Sequence, residues 1–199
     1  MLRKLLFLLL LGGGFGQLFA QEPFEPAEPY EPSYVKNQDE DWVSYLGLGA
    51  GYGAYVPAAQ SKLGIFHGVN TEFVWLSGHN SGGSRSPSNW RVYSRVGIMK
   101  STQDSVGGLI SYLMGANFSL ESRVKRKWLI PYIGIEIGGI KQKELGGGMQ
   151  FNPVLGVQLL ATKYACIHAQ ASYTYSTRAF DQLSGFCGTV TANFFFWRD

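Results

Sequence analysis

The sequence predicts an all-β protein, an eight-stranded antiparallel transmembrane β-barrel with a polar, side-chain-filled lumen and short loops. From residue 42 to the C-terminus, apolar and polar residues alternate with period two in eight segments, the pattern of strands with two unlike faces. Glycine contributes 26 of the 199 residues and aromatic residues 15%, which together indicate strands rather than helices. The chain ends in TVTANFFFWRD, aromatic where a soluble domain usually becomes polar.

The first segment, residues 1–20, has the pattern of a secretory signal peptide. Arg3 and Lys4 precede a short apolar run, and Ala20 provides a cleavage point before Gln21. This apolar run is shorter than the roughly 20 residues that a transmembrane helix needs. We therefore expect the chain to be exported and residues 1–20 to be removed.

Residues 21–41 are acidic and rich in proline. Glu22, Glu25, Glu28 and Glu31 each precede a proline, and their period of three matches the three residues per turn of polyproline II. The four carboxylates would therefore lie along one edge of an extended tether. Two interpretations remain: the tether docks a partner through these glutamates, or it is solvated and binds nothing.

The first predicted strand, WVSYLGLGAGYGAY, has one face of apolar side chains and one face of glycine residues. The apolar face consists of Trp42, Leu46, Leu48, Ala50 and Tyr52, whereas glycines 47, 49, 51 and 53 form the other. The glycines do not complete GxGxxG, and no helical pattern follows them, so this is not a dinucleotide-binding loop.

The seven later strands also set an apolar face against one that carries polar residues and glycine. They are predicted at about 64–76, 90–99, 108–120, 128–140, 148–161, 164–176 and 185–197. In the last of them, Phe194 and Phe196 are predicted to face lipid, with Phe195 and Trp197 turned inward or at the rim. Every strand reaches the roughly 9 to 11 residues that cross a membrane, and backbone pairing in lipid requires closure into a barrel. The alternative is a soluble lipocalin-like barrel, which would turn the apolar face inward.

Four charged residues fall on the predicted inward face near the middle of the membrane: Glu72, Arg91, Arg95 and Glu136. A charge in a narrow interior is costly unless it is paired, so we expect a lumen ion network. Pairing around a turn near residue 83 places Glu72 opposite about residue 94, beside Arg95. Glu136 would reach the arginines across the lumen. The alternative is that trapped water solvates each charge.

The strands LGLGAGYGAY and IPYIGIEIGG and the final ANFFFW resemble those of the small OmpA/OmpX-type outer-membrane β-barrel family, over residues 42–199. The resemblance implies that the protein lies in the cell outer membrane of a Gram-negative bacterium. The first strand would then begin, and the last strand would end, on the periplasmic side, with residues 21–41 as a periplasmic tether. It also implies that the barrel-assembly machinery reads a C-terminal signal that here comprises Phe194, Phe196 and Trp197. The outer loops would then be short, near 56–63, 100–107, 141–147 and 177–184.

Few residues in the sequence are candidates for catalysis. His168 and Ser172 share a face, but four residues of strand separate them by about 13 Å, too far for a catalytic dyad. His67 falls on the lipid face near the outer rim, without the His-x-Ser-Asn pattern of lipid A deacylases, and GxSxG and HExxH are absent. We therefore predict no catalytic residue, no cofactor and no metal site.

The two cysteines, Cys166 and Cys187, are predicted to remain free thiols. Pairing around a turn near Phe180 places Cys187 opposite about Tyr173, which is over 20 Å from Cys166 along the strand. A disulfide allows only about 7 Å between Cα atoms.

The function predicted from these observations is a non-catalytic structural or accessory outer-membrane barrel with a periplasmic acidic tether. An accessory component of a secretion or outer-membrane assembly system is the alternative, and a lipid A-modifying enzyme is the third hypothesis. Expected partners are outer-membrane lipid, the barrel-assembly machinery during biogenesis and a periplasmic protein bound through residues 21–41. Nucleic acid is not expected to be a partner.

Overall fold

The structure, a computed structural model, describes residues 42–79, 89–121, 124 and 126–198. The predicted signal peptide, the tether and its four glutamates lie outside the described residues. The side chains of Ser61, Trp197 and Arg198 are also outside this description.

Eight antiparallel strands form one closed barrel, in which each strand pairs with the next along the chain and the last pairs with the first. The strands are β1 (Trp42–Pro57), β2 (Phe66–His79), β3 (Asn89–Ser101), β4 (Leu109–Ser119), β5 (Ile130–Gln142), β6 (Gly146–Ala161), β7 (Ala165–Ser176) and β8 (Gly185–Arg198). The start of β1 and the end of β8 lie at one end of the barrel, the terminal end. Four short connections at the other end, the loop end, comprise residues 58–65, 102–108, 143–145 and 177–184.

The outer surface of the barrel is apolar and the lumen is polar. Outward side chains such as Val69, Met114 and Phe194 are 59%, 62% and 60% exposed, whereas inward polar side chains such as Asn117 and Thr191 are buried. This orientation excludes the lipocalin-like alternative, which requires the apolar face inside. The predicted outward positions of Phe194 and Phe196 and the inward position of Phe195 are confirmed.

The alternation of faces reverses near the terminal end of β1 and β2. Leu46 has φ 62°, in the left-handed region, and the ladders of β1 with both neighbours pass over it. The β2–β3 register shifts between Val74 and Leu76. Trp42, predicted outward, is therefore on the inner side, where its ring stacks 5.6 Å from that of buried His79. The prediction was wrong because strict period two cannot continue through a local irregularity.

Glycines in the barrel make room for aromatic rings on the adjacent strand. Five rings lie directly opposite a glycine in the ladder: Trp90 and Gly78, Tyr93 and Gly115, Tyr112 and Gly139, Tyr132 and Gly156, and Phe195 and Gly47. A Cβ atom on Gly156 would lie 2.3 Å from Cζ of Tyr132, well inside van der Waals contact. Much of the glycine content therefore serves the close approach of rings and backbone.

An apolar plug fills the lumen at the loop end. It comprises Tyr55, Leu63, Phe66, Met99, Leu109, Ile140 and Leu183, all buried. Two helical turns in the loops, α1 (Gln60–Leu63) and α2 (Phe180–Leu183), supply Leu63 and Leu183, and the hydroxyl of Tyr55 donates to the carbonyl of Leu183. Four residues are too short for a periodic signal, which is why the sequence did not predict these turns. No helix in the described part of the chain is long and apolar enough to cross a membrane.

Candidate functional site

The structure brings together the four charged residues that the sequence placed in the lumen. Arg95 donates to Oε2 of Glu72 from Nε at 3.2 Å and from Nη2 at 2.9 Å, and its Nη1 lies 2.9 Å from Oε1 of Glu136. Nη1 of Arg91 lies 3.5 Å from Oε1 of Glu72. Two carboxylates and two guanidinium groups thus form one network with Arg95 at its centre.

The ladder explains the first of these contacts, because Glu72 on β2 lies directly opposite Arg95 on β3. For Arg95 to contact Glu136 on β5, the side chains must pass over β4. On β4, Gly115 lies between Tyr93 and Glu136 in the ladder. A Cβ atom on Gly115 would lie 2.7 Å from the Tyr93 ring and 2.9 Å from Cγ of Glu136. The missing side chain lets the hydroxyl of Tyr93 donate to Glu136 at 2.7 Å.

Amide side chains of β6, β7 and β8 complete the hydrogen bonding of both carboxylates. Asn193 on β8 donates to Glu72 at 3.0 Å. Gln170 on β7 donates to Glu136 at 2.9 Å, and Asn152 on β6 donates to it at 3.2 Å. Asn152 is the ladder partner of Glu136. Alternation predicts that these amides face inward, but it does not give the strand register that brings them to the carboxylates.

The ring of Tyr93 lies between the two arginines of its own strand. The guanidinium carbons of Arg91 and Arg95 lie 4.9 Å and 5.1 Å from its centroid. Both are within the roughly 6 Å range of cation–π attraction, which is stronger in a desolvated site. Tyr93 therefore separates two like charges while it stabilises each of them.

His168 adjoins the network and is held as a neutral acceptor at Nδ1. Nη2 of Arg91 lies 3.3 Å from this atom, and the hydroxyl of Tyr132 lies 3.0 Å from it. A guanidinium group only donates, so Nδ1 accepts and the ring proton is on Nε2, 3.5 Å from Glu72. These contacts fix the orientation of the imidazole within the lumen.

The three histidines of the chain occupy separate environments. His67 is on the outer face, 2.6 Å from the hydroxyl of Tyr52, and His79 lies 3.2 Å from Asn89 at the terminal end. Within the described ranges, no three His, Cys, Asp or Glu side chains are grouped closely enough to hold a metal ion. The histidines therefore form no common site with one another.

A small cavity separates the ion network from the apolar plug. Its volume is about 30 Å³, and Asn70, Asn152 and Thr189 line it together with Arg95 and Glu136. Each of the first three has a buried polar atom without a protein partner. Space for about one or two water molecules, with polar atoms to bind them, is typical of buried hydration sites.

The two cysteines lie on neighbouring strands, Cys166 on β7 and Cys187 on β8. Cys187 lies opposite Ser172, one residue from the predicted partner, and Cys166 lies opposite Asn193. Both are free cysteines, as predicted. Trp197 belongs to β8 and its backbone pairs with Tyr45.

Comparison with known proteins supports the architecture. No protein-family model and no curated protein matches the chain. Among solved structures, the N-terminal β-barrel domain of Pseudomonas aeruginosa OprF matches with a TM-score of 0.51 at 9% identity, covering 77% of this chain and 99% of that one. Ail, the attachment invasion locus protein of Yersinia pestis, matches with a TM-score of 0.40 at 13% identity, covering 79% of this chain and 99% of that one.

This chain has the fold of the OmpA/OmpX-type outer-membrane barrels. The predicted fold class, a closed eight-stranded antiparallel barrel with a polar lumen, is confirmed. At 9% identity the likeness to the OprF barrel concerns the fold, so the function must be argued from the lumen and the outer surface.

Proposed function

We propose that the protein is a non-catalytic, non-conducting structural or accessory barrel of the outer membrane. The observation on which this rests is the double closure of its lumen. The ion network fills the middle, and the apolar plug fills the loop end. An exposed apolar belt on the outer surface supports placement in lipid.

Passage of a solute would require both barriers to open. Glu72, Arg95 and Glu136 are 1%, 4% and 1% exposed, and separating them would leave buried charges without partners. Breaking a buried ion pair by removing one partner typically costs about 3 to 5 kcal/mol. An eight-stranded barrel has an interior just wide enough for its own side chains, so rearrangement within it has little room.

The environments of the histidines support a role without catalysis. The pair Tyr52 and His67 is on the outer face, where a lipid substrate would approach. The ladder partners of His67 are Ala54 and Lys100, neither of which is a carboxylate that could orient a catalytic imidazole. Mass analysis of lipid A from a deletion strain would reveal a lipid-modifying activity and contradict this part of the proposal.

Conductance across a planar bilayer tests closure directly. The purified full chain should produce no conductance steps, while a general porin in the same bilayers serves as positive control. Insertion is verified independently by the temperature-dependent migration of protein recovered from the bilayer. Discrete openings by inserted protein would contradict the proposal.

The acidic tether favours a second candidate, an accessory component of a secretion or assembly system. Glutamates at period three would present one negatively charged edge to a basic periplasmic partner. Crosslinking in membranes with the full chain and with a chain that lacks residues 21–41 would test this. Recovery of the same proteins from both chains would contradict docking by the tether.

A further inference from the structure

The strands distribute charge in an uneven way between lumen and outer surface. Among strand side chains that the structure describes, only Lys100 and Lys141 are ionised residues turned outward, since the Glu and Arg side chains face the lumen. Both lysines are exposed and lie near the loop end, Lys100 on β3 and Lys141 on β5, with β4 between them. The outward charge of these strands is thus positive and confined to one sector.

An apolar groove of about 330 Å³ runs along the outer surface of this sector. Ile98, Ile110 and Lys141 lie side by side in the ladders of β3, β4 and β5. Lys141 and Lys143 line the groove together with the two isoleucines. A lysine can bury its aliphatic stem on such a surface while its ammonium group stays at the polar boundary.

The rim of the groove is fixed by contacts between two loops. The amide of Gly107 donates to Oε1 of Glu144 at 3.0 Å, and Gln142 donates both to Glu144 and, at 3.4 Å, to the carbonyl of Gly107. A Cβ atom on Gly107 would lie 2.6 Å from Cβ of Lys143, so the stem of this lysine packs on the loop backbone. The carboxylate of Glu144 is thereby held on the 102–108 loop, while Lys141 and Lys143 border the groove.

The opposite sector of the loop end has a different surface. Aromatic side chains of β6 to β8 and α2 form a connected outward cluster there: Phe151, Tyr173, Tyr175, Phe180 and Phe186. An aromatic girdle is the usual way in which a barrel meets the interface. The lysine sector instead combines two outward lysines with an apolar groove.

We propose that this groove binds a phosphorylated glycolipid of the outer leaflet, with an acyl chain along Ile98 and Ile110 and phosphates at Lys100, Lys141 and Lys143. The inference rests on the proposed outer-membrane placement. Lys100 and Lys141 stand on strands two apart, a lateral spacing of about 10 Å. Cations so separated fit a headgroup with phosphates on two different sugars better than one that carries a single phosphate.

The test is binding of fluorescent diphosphorylated lipid A to the full chain in dodecyl maltoside. Replacing Lys100, Lys141 and Lys143 with Gln should weaken binding by about fivefold for each lysine. The matched control changes the same amount of charge away from the groove, by replacing Lys62, Lys163 and Arg178 with Gln, and should retain wild-type affinity within about twofold.

Three outcomes would overturn the inference. The groove variant could bind as tightly as the wild type, both variants could lose affinity equally, or dephosphorylated lipid A or phosphatidylglycerol could bind as tightly as the diphosphorylated lipid. Temperature-dependent migration of all three proteins separates this result from the wider proposal. A wild type that migrates as an unfolded chain without heating contradicts the membrane barrel, whereas a folded barrel without lipid selectivity contradicts the groove alone.

Discussion

Arg95 is the residue on which the lumen depends most. It contacts both carboxylates, it packs on the ring of Tyr93, and it is 4% exposed. Water has little access to a carboxylate left without this partner. Removing Arg95 alone should therefore destabilise the barrel more than replacing both Arg95 and its carboxylate partner with neutral residues.

We expect Arg95→Ala to lower the free energy of unfolding by about 3 to 5 kcal/mol. Glu72→Gln with Arg95→Gln should cost clearly less than the two single changes together, because the double variant removes one charge of each sign and keeps the buried network neutral. Urea unfolding in detergent of both single Gln variants and the double variant measures the coupling. Lys100→Ala, an outward change, is the control, and additive effects at 72 and 95 would reject the pair.

Gly156 tests the ring-over-glycine contacts. Gly156→Ala places a methyl group against the ring of Tyr132 and should destabilise the barrel by about 1 to 3 kcal/mol. Gly188 offers a matched control, because nothing lies within 4 Å of a Cβ atom built there. Urea unfolding of Gly188→Ala should differ little from that of the wild type, and equal losses in both variants would contradict the steric account.

At the scale of elements, the pairing of neighbouring strands can be predicted from the alternation of apolar and polar residues and from the positions of the turns. The predicted partner of Glu72 was residue 94 and the observed one is Arg95, because the centre of a turn is known only to about one residue. Alternation could not predict the face reversal at Leu46 or the helical turns of the plug. Those features depend on backbone irregularity and on tertiary packing, neither of which has a periodic signal.

The β7–β8 register predicts the chemistry of the thiols. Cys166 and Cys187 should both react with an alkylating reagent after unfolding in the absence of reductant. In the folded barrel Cys166, which is 3% exposed, should react much more slowly. Peptide mass spectrometry after each treatment measures this, and an intramolecular bond between the two cysteines would refute the register.

The barrel as a whole presents apolar side chains outward around a closed circuit of backbone hydrogen bonds. Such a barrel has no free strand edge at which a detergent or a second chain could begin to unpair it. Folding stability and solubility are therefore expected to separate: the protein should resist unfolding yet require an amphiphile to stay dispersed.

We expect unboiled protein in SDS to migrate as a compact species and to shift to the position of the unfolded chain only after heating. Electrophoresis with and without boiling measures this. A Gly156→Ala sample heated in steps should convert at a lower temperature than the wild type. Folded, monodisperse protein in buffer without detergent would contradict the membrane barrel.

The ion network also constrains the order of events during folding. Glu72 and Asn193, hydrogen-bonded at 3.0 Å, are 121 positions apart in the chain. A nascent hairpin of β2 and β3 can join Glu72 to both arginines of β3, but the amide ligands of the two carboxylates arrive only with β6 to β8. Such long-range contacts slow folding and make it cooperative. The hydrogen bonding of the carboxylates therefore depends on completion of the barrel. Until the last strand pairs, Glu72 lacks the hydrogen bond from Asn193.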